Sequence, residues 1–446
     1  MSVAILRWTL MIGAVCSLPL AAMGECLPDA MQASGAEYRI CMPEGDRWNG
    51  NLVIYCHGFV SPYEAVEVSE DTLTGPDGRS LADIFVELGY AFAVTSYSAN
   101  GLAIREGLAD VVDLRGLFAE GMGEPVNTYL LGFSMGSLIA TQAAEQHPEL
   151  FQGCVAACGP IGDFTMQIDW FGDFRVAFDY FFSPLFPGSP VNIPEFIAGN
   201  PLAYYLIFVR PFITAPQNEG KLRELVAVAG LPVDEERFVQ TAEEAVVSLF
   251  FFNGAAPNDT IRKLGGQPYD NAGVRYTGTS NDLRYNALVE RFRADAAAQT
   301  EIAAHYETSG QIAIPYVLIH TEGDQVVPFA HAPMYVEKVA AAGGGGEGLT
   351  FIPVDRLGHC NFRTTEVLVA FSRAVYLVEG ADECLALGRQ ITDPAMTTAQ
   401  ERSNFFVMAE RYDVPVDRNV AIALPPFSSL WALLLGIIMQ WLALLF

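Results

Sequence analysis

The stretch that decides the fold is Thr128-Tyr-Leu-Leu-Gly132-Phe-Ser134-Met-Gly136-Ser-Leu-Ile-Ala, followed by an alanine-rich run to His147 and a stop at Pro148. Thr128 to Leu131 reads as a short buried strand, and Leu138 to His147 reads as a helix. Between them lies Gly132-x-Ser134-x-Gly136. A lone G-x-S-x-G is a weak pattern, but the chemistry needs it between a strand and a helix, as here. Glycines flank the serine because so tight a turn leaves no room for Cβ atoms beside it. The turn lifts the hydroxyl above the sheet, near the positive end of the helix. An ordinary strand-to-helix turn is the rival reading, and the context disfavours it.

Outward from that turn, apolar strands alternate with helical patterns. Asn51 to Tyr55 predicts a strand ending in Cys56-His57-Gly58-Phe59. A helix over Leu81 to Gly89, a strand over Ala91 to Tyr97 and a helix over Arg105 to Glu120 follow. Past the serine, Val155 to Cys158 predicts the next strand, closed by Gly159-Pro160. The rhythm then breaks and resumes at Ile314 to His320, which leads into Thr321-Glu322-Gly323-Asp324. A helix around Met334 to Ala340 and a strand over Thr350 to Val354 end at Gly358-His359-Cys360. Continuous apolar strands separated by helices imply a parallel sheet covered on both faces. The break is therefore an insertion between two sheet strands. Its first part is dense in rings, among them Trp170, Phe171, Phe174, Phe178, Tyr180, Phe181, Phe182, Phe186, Phe196, Tyr204, Tyr205 and Phe208. Most must serve a helical core, and some are expected to line an apolar pocket beneath a lid.

A serine hydroxyl is a poor nucleophile until a base takes its proton. Six histidines offer themselves: His57, His147, His305, His320, His331 and His359. Only His359 follows a strand in a loop downstream of everything else, completing the chain order Ser, Asp, His. The histidine needs a carboxylate to fix its tautomer. Asp324 is favoured, with Glu322 two residues away and Asp163, after the preceding strand, as alternatives. Attack on a carbonyl creates an oxyanion for backbone N–H groups to hold. Met135, first on the helix, and Phe59, after the His57-Gly58 turn, are the expected donors.

Strand–His-Gly, Gly-Phe-Ser-Met-Gly, Gly-Asp-x-x-Val-Pro and Gly-His, in this order, resemble the α/β-hydrolase superfamily over residues 50–160 and 312–380. The resemblance implies a mostly parallel central sheet with helices on both faces and a large, mainly helical lid insertion. Trp48-Asn-Gly-Asn-Leu-Val-Ile-Tyr-Cys-His-Gly and Gly89-Tyr-Ala-Phe-Ala-Val-Thr-Ser-Tyr97 further resemble secreted bacterial hydrolases of that superfamily. His359-Cys360 is similar to secreted tannase and feruloyl esterase-like enzymes, where that cysteine bridges to one beside the serine. Here Phe133 precedes Ser134, so that bridge is not expected.

Acidic residues outnumber basic ones 52 to 25, for a net charge of −27. Such a surface repels phosphate backbones, so nucleic acid is not an expected partner. The N-terminus has Arg7, then an apolar stretch from Trp8 to Ala22, then Ala22-Met23-Gly24, a signal-peptide pattern cut after Gly24. An uncleaved anchor is the alternative. Phe427 to Phe446 is a 20-residue run without charge, long enough to span a bilayer as a helix. Preceded by Pro425-Pro426-Phe427-Ser428-Ser429-Leu430-Trp431, it resembles a C-terminal sorting tail, and a plain anchor is the alternative. Either reading exports the chain and brings it to a membrane.

Of the eight cysteines Cys16 falls in the leader and seven remain, so at least one is free or intermolecular. Cys26–Cys41 and Cys360–Cys384 each close a short loop and are the expected pairs. No ligand spacing for a metal is present and no cofactor is expected.

The expected organisation is a leader over 1–24, hydrolase segments over 25–160 and 312–415, an insertion over 161–311, and a linker with hydrophobic tail over 416–446. The expected activity is carboxylic ester hydrolysis through an acyl-enzyme, on a small or polymeric ester with apolar or aromatic groups. A serine peptidase of the same fold is the alternative. An exopeptidase would need carboxylates in the insertion, for which Glu243-Glu244 are the candidates.

Overall fold

The computed structural model describes residues 24–75 and 78–417. The expected leader and the C-terminal hydrophobic run lie outside the described residues. Among the described residues nine strands form one sheet: β1 (Glu25–Cys26), β2 (Ala30–Met31), β3 (Glu37–Met42), β4 (Leu52–Cys56), β5 (Ala91–Thr95), β6 (Thr128–Phe133), β7 (Gly153–Ala157), β8 (Tyr316–Gly323) and β9 (Leu349–Leu357). Their order is β1-β3-β5-β4-β6-β7-β8-β9, with β2 also paired to β3. From β5 to β9 every pairing is parallel, whereas β1, β2 and β3 join antiparallel at one edge. This is the α/β-hydrolase fold.

Strand alternation divides the sheet's side chains into two cores. Val53, Tyr55, Phe92, Val94, Leu131 and Val317 point to one face, covered by the helices Leu81–Glu87, Thr364–Glu379 and Ala381–Ile391. Leu52, Ile54, Ala93, Leu130, Ala156 and Leu318 point to the other, covered by Ile104–Met122, Met135–Gln146 and His331–Ala341. Both faces are therefore dry, which explains why the strands read as unbroken apolar runs.

Between β7 and β8 the chain forms a helical block, opened by Phe164–Phe182 and including Glu219–Ala229, Phe238–Ala255 and Pro257–Leu264. Phe174, Phe178, Tyr205, Leu222, Leu249 and Phe250 build its own core, separate from the two around the sheet. The block is nonetheless sewn to the sheet layer. Phe164, Leu264, Ala298, Ile302 and Tyr306 pack into the core on the face of the helix Met135–Gln146. Among the described residues no helix is long and apolar enough to cross a membrane.

Candidate active site

Ser134 lies between β6 and the helix Met135–Gln146 with φ 55° and ψ −126°, a conformation L-residues rarely adopt. The surroundings hold it there. Its N–H donates to Ala157 O at 2.9 Å, and its carbonyl accepts from Ser137 N–H at 2.9 Å. Ser137 Oγ lies 2.6 Å from Ala157 O and 2.8 Å from Gly132 O, bracing the turn from below. A Cβ on Gly136 would fall 2.0 Å from Cys56 O, and one on Gly132 would fall 2.4 Å from Gly136 O. Both flanking glycines are thus required by close backbone approach rather than by flexibility. Ser137 was not singled out in the sequence, since a serine inside a helix carries no signal of its own.

His359 reaches the serine from the far end of β9. Its Nε2 is 2.8 Å from Ser134 Oγ, and its Nδ1 is 2.8 Å and 3.0 Å from the two oxygens of Asp324. A carboxylate accepts, so Nδ1 carries the proton and Nε2 is left to take one from the hydroxyl. The β8–β9 ladder shifts register between Thr321 and Gly323, just before Asp324. Thr321 Oγ1 donates to Gly358 O at 2.8 Å, and Gly358 N–H donates to Gly323 O at 3.0 Å. These two bonds tie the acid loop to the histidine loop.

Asp324 is 2 % exposed. Burial alone would raise its carboxyl, but His359 beside it, His320 and the N–H groups of Val326 and Val327 (each 2.9 Å from Oδ1) hold it below its ordinary value. The alternatives point elsewhere. Asp163 caps the helix Phe164–Phe182, accepting from Met166 N–H at 2.8 Å, and Glu322 is exposed.

The other histidines have different partners. His147 and His305 lie near Glu149 and Glu301 with partly exposed rings. His57 is buried, stacked on Tyr97 with ring centroids 4.0 Å apart. His320 is buried with its Nε2 3.0 Å from Val327 O. His331 accepts weakly from the Gly162 and Asp163 N–H groups through Nδ1 and donates from Nε2 to Gln167 Oε1 at 3.1 Å. Burial pushes His57 and His320 below the ordinary value of 6.5, and His331 down to about 3. All three rings therefore bind a proton less readily in the fold than in the unfolded chain. The stability that neutral His331 contributes is therefore complete above pH 6.5 and drains as pH falls toward 3. Wild type should lose melting temperature relative to His331→Gln as pH falls from 6.5 toward 3. An unchanged slope in that variant would remove His331 from the account.

The cysteines correct one expectation. Cys26 pairs with Cys41 as expected, but Cys360 pairs with Cys158 at the end of β7, not with Cys384. Cys384 is free and buried, as are Cys56 and Cys154. Sequence proximity favoured Cys384, yet the helix Thr364–Glu379 carries it away while the parallel sheet brings β7 beside the histidine loop. The cysteine after the histidine does bridge, but to the strand that supports the serine turn rather than to a neighbour of the serine. Cys158, His359 and Cys360 form a grouping of metal-ligand type, but both sulfurs are spent in the bond. The bridge closes a span of 202 residues that includes the whole insertion. Cys158→Ala with Cys360→Ala should cost about 2–4 kcal/mol in denaturant melts, by freeing the unfolded chain. The melts should show it under non-reducing conditions, and an unshifted midpoint would mean that the bridge contributes nothing.

Above Ser134 lies a cavity of about 80 Å³ lined by Phe59, Leu102, Met135, Phe164, Ile168, Phe171, Phe252 and Val326, with Gln167 and Thr260 among its few polar groups. No lining residue is charged. Phe171 and Phe252 stack across it, centroids 5.3 Å apart and planes within 11°. Beyond that pair a second cavity of about 50 Å³ runs into the insertion toward Tyr269. Of the rings expected to line a pocket, Phe171 does. Phe174, Phe178, Phe182, Phe186 and Tyr205 are core instead, and Phe196 and Phe208 are exposed. Phe252 was missed, because the run Leu249-Phe-Phe-Phe252 reads as core until its helix is placed over the serine. Met135 and Phe59 both border Ser134 in this cavity. As the first residue of its helix, Met135 has an N–H that no turn of that helix can use. Glu243 pairs with Arg210 and Glu244 accepts from Gln240, so neither carboxylate lines the cavity.

A family model described as "alpha/beta hydrolase fold" matches residues 124–195, from just before β6 into the insertion. No curated protein matches the chain. Among solved structures, feruloyl esterase B from Aspergillus oryzae is similar at 12 % identity and TM-score 0.42, over 79 % of this chain and 80 % of that one. Candida antarctica lipase A in its closed state is similar at 12 % identity and TM-score 0.42, over 83 % and 77 %. An acylaminoacyl peptidase from Pyrococcus horikoshii is similar at 10 % identity and TM-score 0.39, over 89 % of this chain. This chain spans only 42 % of that peptidase's length.

Proposed function

We propose that this α/β-hydrolase cleaves carboxylic esters with apolar acyl or aromatic groups, through an acyl-enzyme on Ser134. The observation that carries the reading is the continuous hydrogen-bonded line Ser134–His359–Asp324, whose serine borders an uncharged cavity. Ser134 Oγ attacks the ester carbonyl while its proton passes to His359 Nε2, and Asp324 stabilises the ring as it charges. The carbonyl oxygen becomes an oxyanion, held by the N–H groups of Met135 and Phe59. The imidazolium returns its proton to the departing alcohol. Water, deprotonated by the same nitrogen, then releases the acid and restores Ser134. No resident cofactor enters any step.

An uncharged cavity favours an ester with an apolar group over a substrate gripped by a free amine, since no carboxylate is present to pair with an ammonium. The test is a turnover panel of p-nitrophenyl esters against aminoacyl-nitroanilides. Esters should be cleaved and anilides left; faster turnover of the anilides would make this a peptidase of the same fold. Within the ester series each buried methylene contributes at most about 0.8 kcal/mol, up to about fourfold in kcat/KM. The rate should climb from acetate toward medium chains and flatten where the chain meets the Phe171–Phe252 pair. A profile that peaks at acetate would return these rings to packing alone.

A further inference from the structure

Part of the insertion carries large apolar side chains on its exposed side as well as its buried one. Pro201–Tyr204, Tyr205–Val209 and Arg210–Ile213 follow one another as helical segments, the middle one a π turn. Tyr205, Val209 and Ile213 point inward and are fully buried. A soluble helix would present polar residues on its other side. Here the outward residues are Leu206, Ile207, Phe208 and Phe212, between 50 % and 63 % exposed, joined by Phe196 at 67 % and Leu202 at 46 %. So dense a cluster of exposed large apolar side chains marks a contact surface.

Charge narrows the occupant. From Phe196 to Asn218 the sequence holds one charged residue, Arg210, which is paired with Glu243, in a chain of 52 acidic and 25 basic residues. A second copy carrying the same net −27 is an electrostatically poor partner. A bilayer suits a surface that is apolar and without net charge. The sequence also supplies a route to one, in the uncharged run from Phe427 to Phe446. Nine residues, 418–426, separate that run from the described chain, a reach of about 32 Å at most when extended. A tether that short raises the effective concentration of a weak membrane surface.

We propose that the face formed by Phe196, Leu202, Leu206, Ile207, Phe208 and Phe212 seats on a lipid bilayer. It backs onto the helix Phe238–Ala255, where Gly254 packs against Pro201 and Phe250 lies 5.4 Å from Tyr205, centroid to centroid. That helix also carries Phe252 of the cavity above Ser134. Seating this face brings the helix that carries Phe252 of the cavity close to lipid, so the substrates are esters dispersed in a membrane. The substrate clause rests on the proposed esterase activity, whereas the docking clause stands without it.

The test uses the full chain in phosphatidylcholine vesicles, with a nitroxide on Ile207→Cys or on Val126→Cys. Val126 is 72 % exposed just before β6, at the end of that strand away from Ser134. Among the described residues the free cysteines Cys56, Cys154 and Cys384 are buried, and Cys16 is replaced by serine to keep the label selective. The label at 207 should collide with oxygen in preference to a water-soluble nickel chelate, and the label at 126 should show the reverse. Equal chelate access at both positions would overturn the proposal. Loss of chelate access at 207 without a gain in oxygen access would also overturn it, since the cover would then be protein, either the tail or a second copy. In a second arm, Leu206→Ser, Ile207→Ser, Phe208→Ser and Phe212→Ser are combined. Turnover of a dissolved short ester should be unchanged, while turnover of a vesicle-borne ester should fall on the order of tenfold or more. Equal rates on vesicles would sink the substrate clause. A wild type with no ester turnover would sink the esterase reading, with the labelling result still deciding the docking.

Discussion

Ser134→Ala should lower ester turnover by on the order of 10⁶-fold while leaving the fold intact, the loss typical when an acyl-forming nucleophile is removed. The expected size follows from the geometry. The hydroxyl is the atom His359 Nε2 faces at 2.8 Å, and among the described residues no other hydroxyl is bonded to that nitrogen. Folding should survive because the turn is held by backbone bonds from Ser134 N–H and O and by Ser137 Oγ, none of which uses the lost oxygen. Serine already bears the strain of a φ of 55°, so alanine should change the melting temperature little beside the large loss in rate. A fluorophosphonate probe checks the assignment directly. Wild type should be labelled and Ser134→Ala should not. Persistent labelling would move the nucleophile elsewhere.

Asp324→Asn should cost on the order of 10⁴-fold in kcat, as replacement of a triad acid does, because an amide allows the wrong tautomer of His359. Asn is nearly the same size, so the loss reports charge and proton position rather than packing. It also leaves Oδ1 able to accept from Val326 and Val327 N–H, which keeps the loop in place. Asp163→Asn supplies the contrast. Asp163 caps a helix, and Asn caps as well as Asp, so both stability and turnover should be nearly unchanged. If the two variants exchanged effects, Asp163 would be the acid and the loop after β8 would have been misread.

The sequence was legible where local physics is decisive. A strand buried on both faces must be apolar throughout, so β4, β6, β7 and β8 announce themselves without a template. A turn that forces two backbones to within a Cβ's width must carry glycine, so Gly132 and Gly136 identify the serine between them. His359 and Asp324 were found by the same route, each just past an apolar strand. Since parallel strands deliver their following loops to one edge of the sheet, strand order alone converged these loops on Ser134.

What remained hidden depends on distance in space rather than along the chain. The partner of Cys360 is Cys158, 202 residues away, because adjacency of β7, β8 and β9 is a property of the sheet and not of sequence spacing. The antiparallel edge was likewise unreadable, as β1 and β2 have two residues each and no period to detect. The rings of the insertion show the limit best. Phe171, Phe178 and Phe208 look alike in sequence, yet one borders the cavity, one lies in the core and one faces outward. Hydrophobicity is a property of the side chain and is fixed by composition, but the surface it is buried against is chosen only when helices pack. The meeting of Ser134, His359 and Asp324 was therefore legible in the sequence itself, while the cavity above Ser134 and the exposed apolar face of the insertion were decided by tertiary structure.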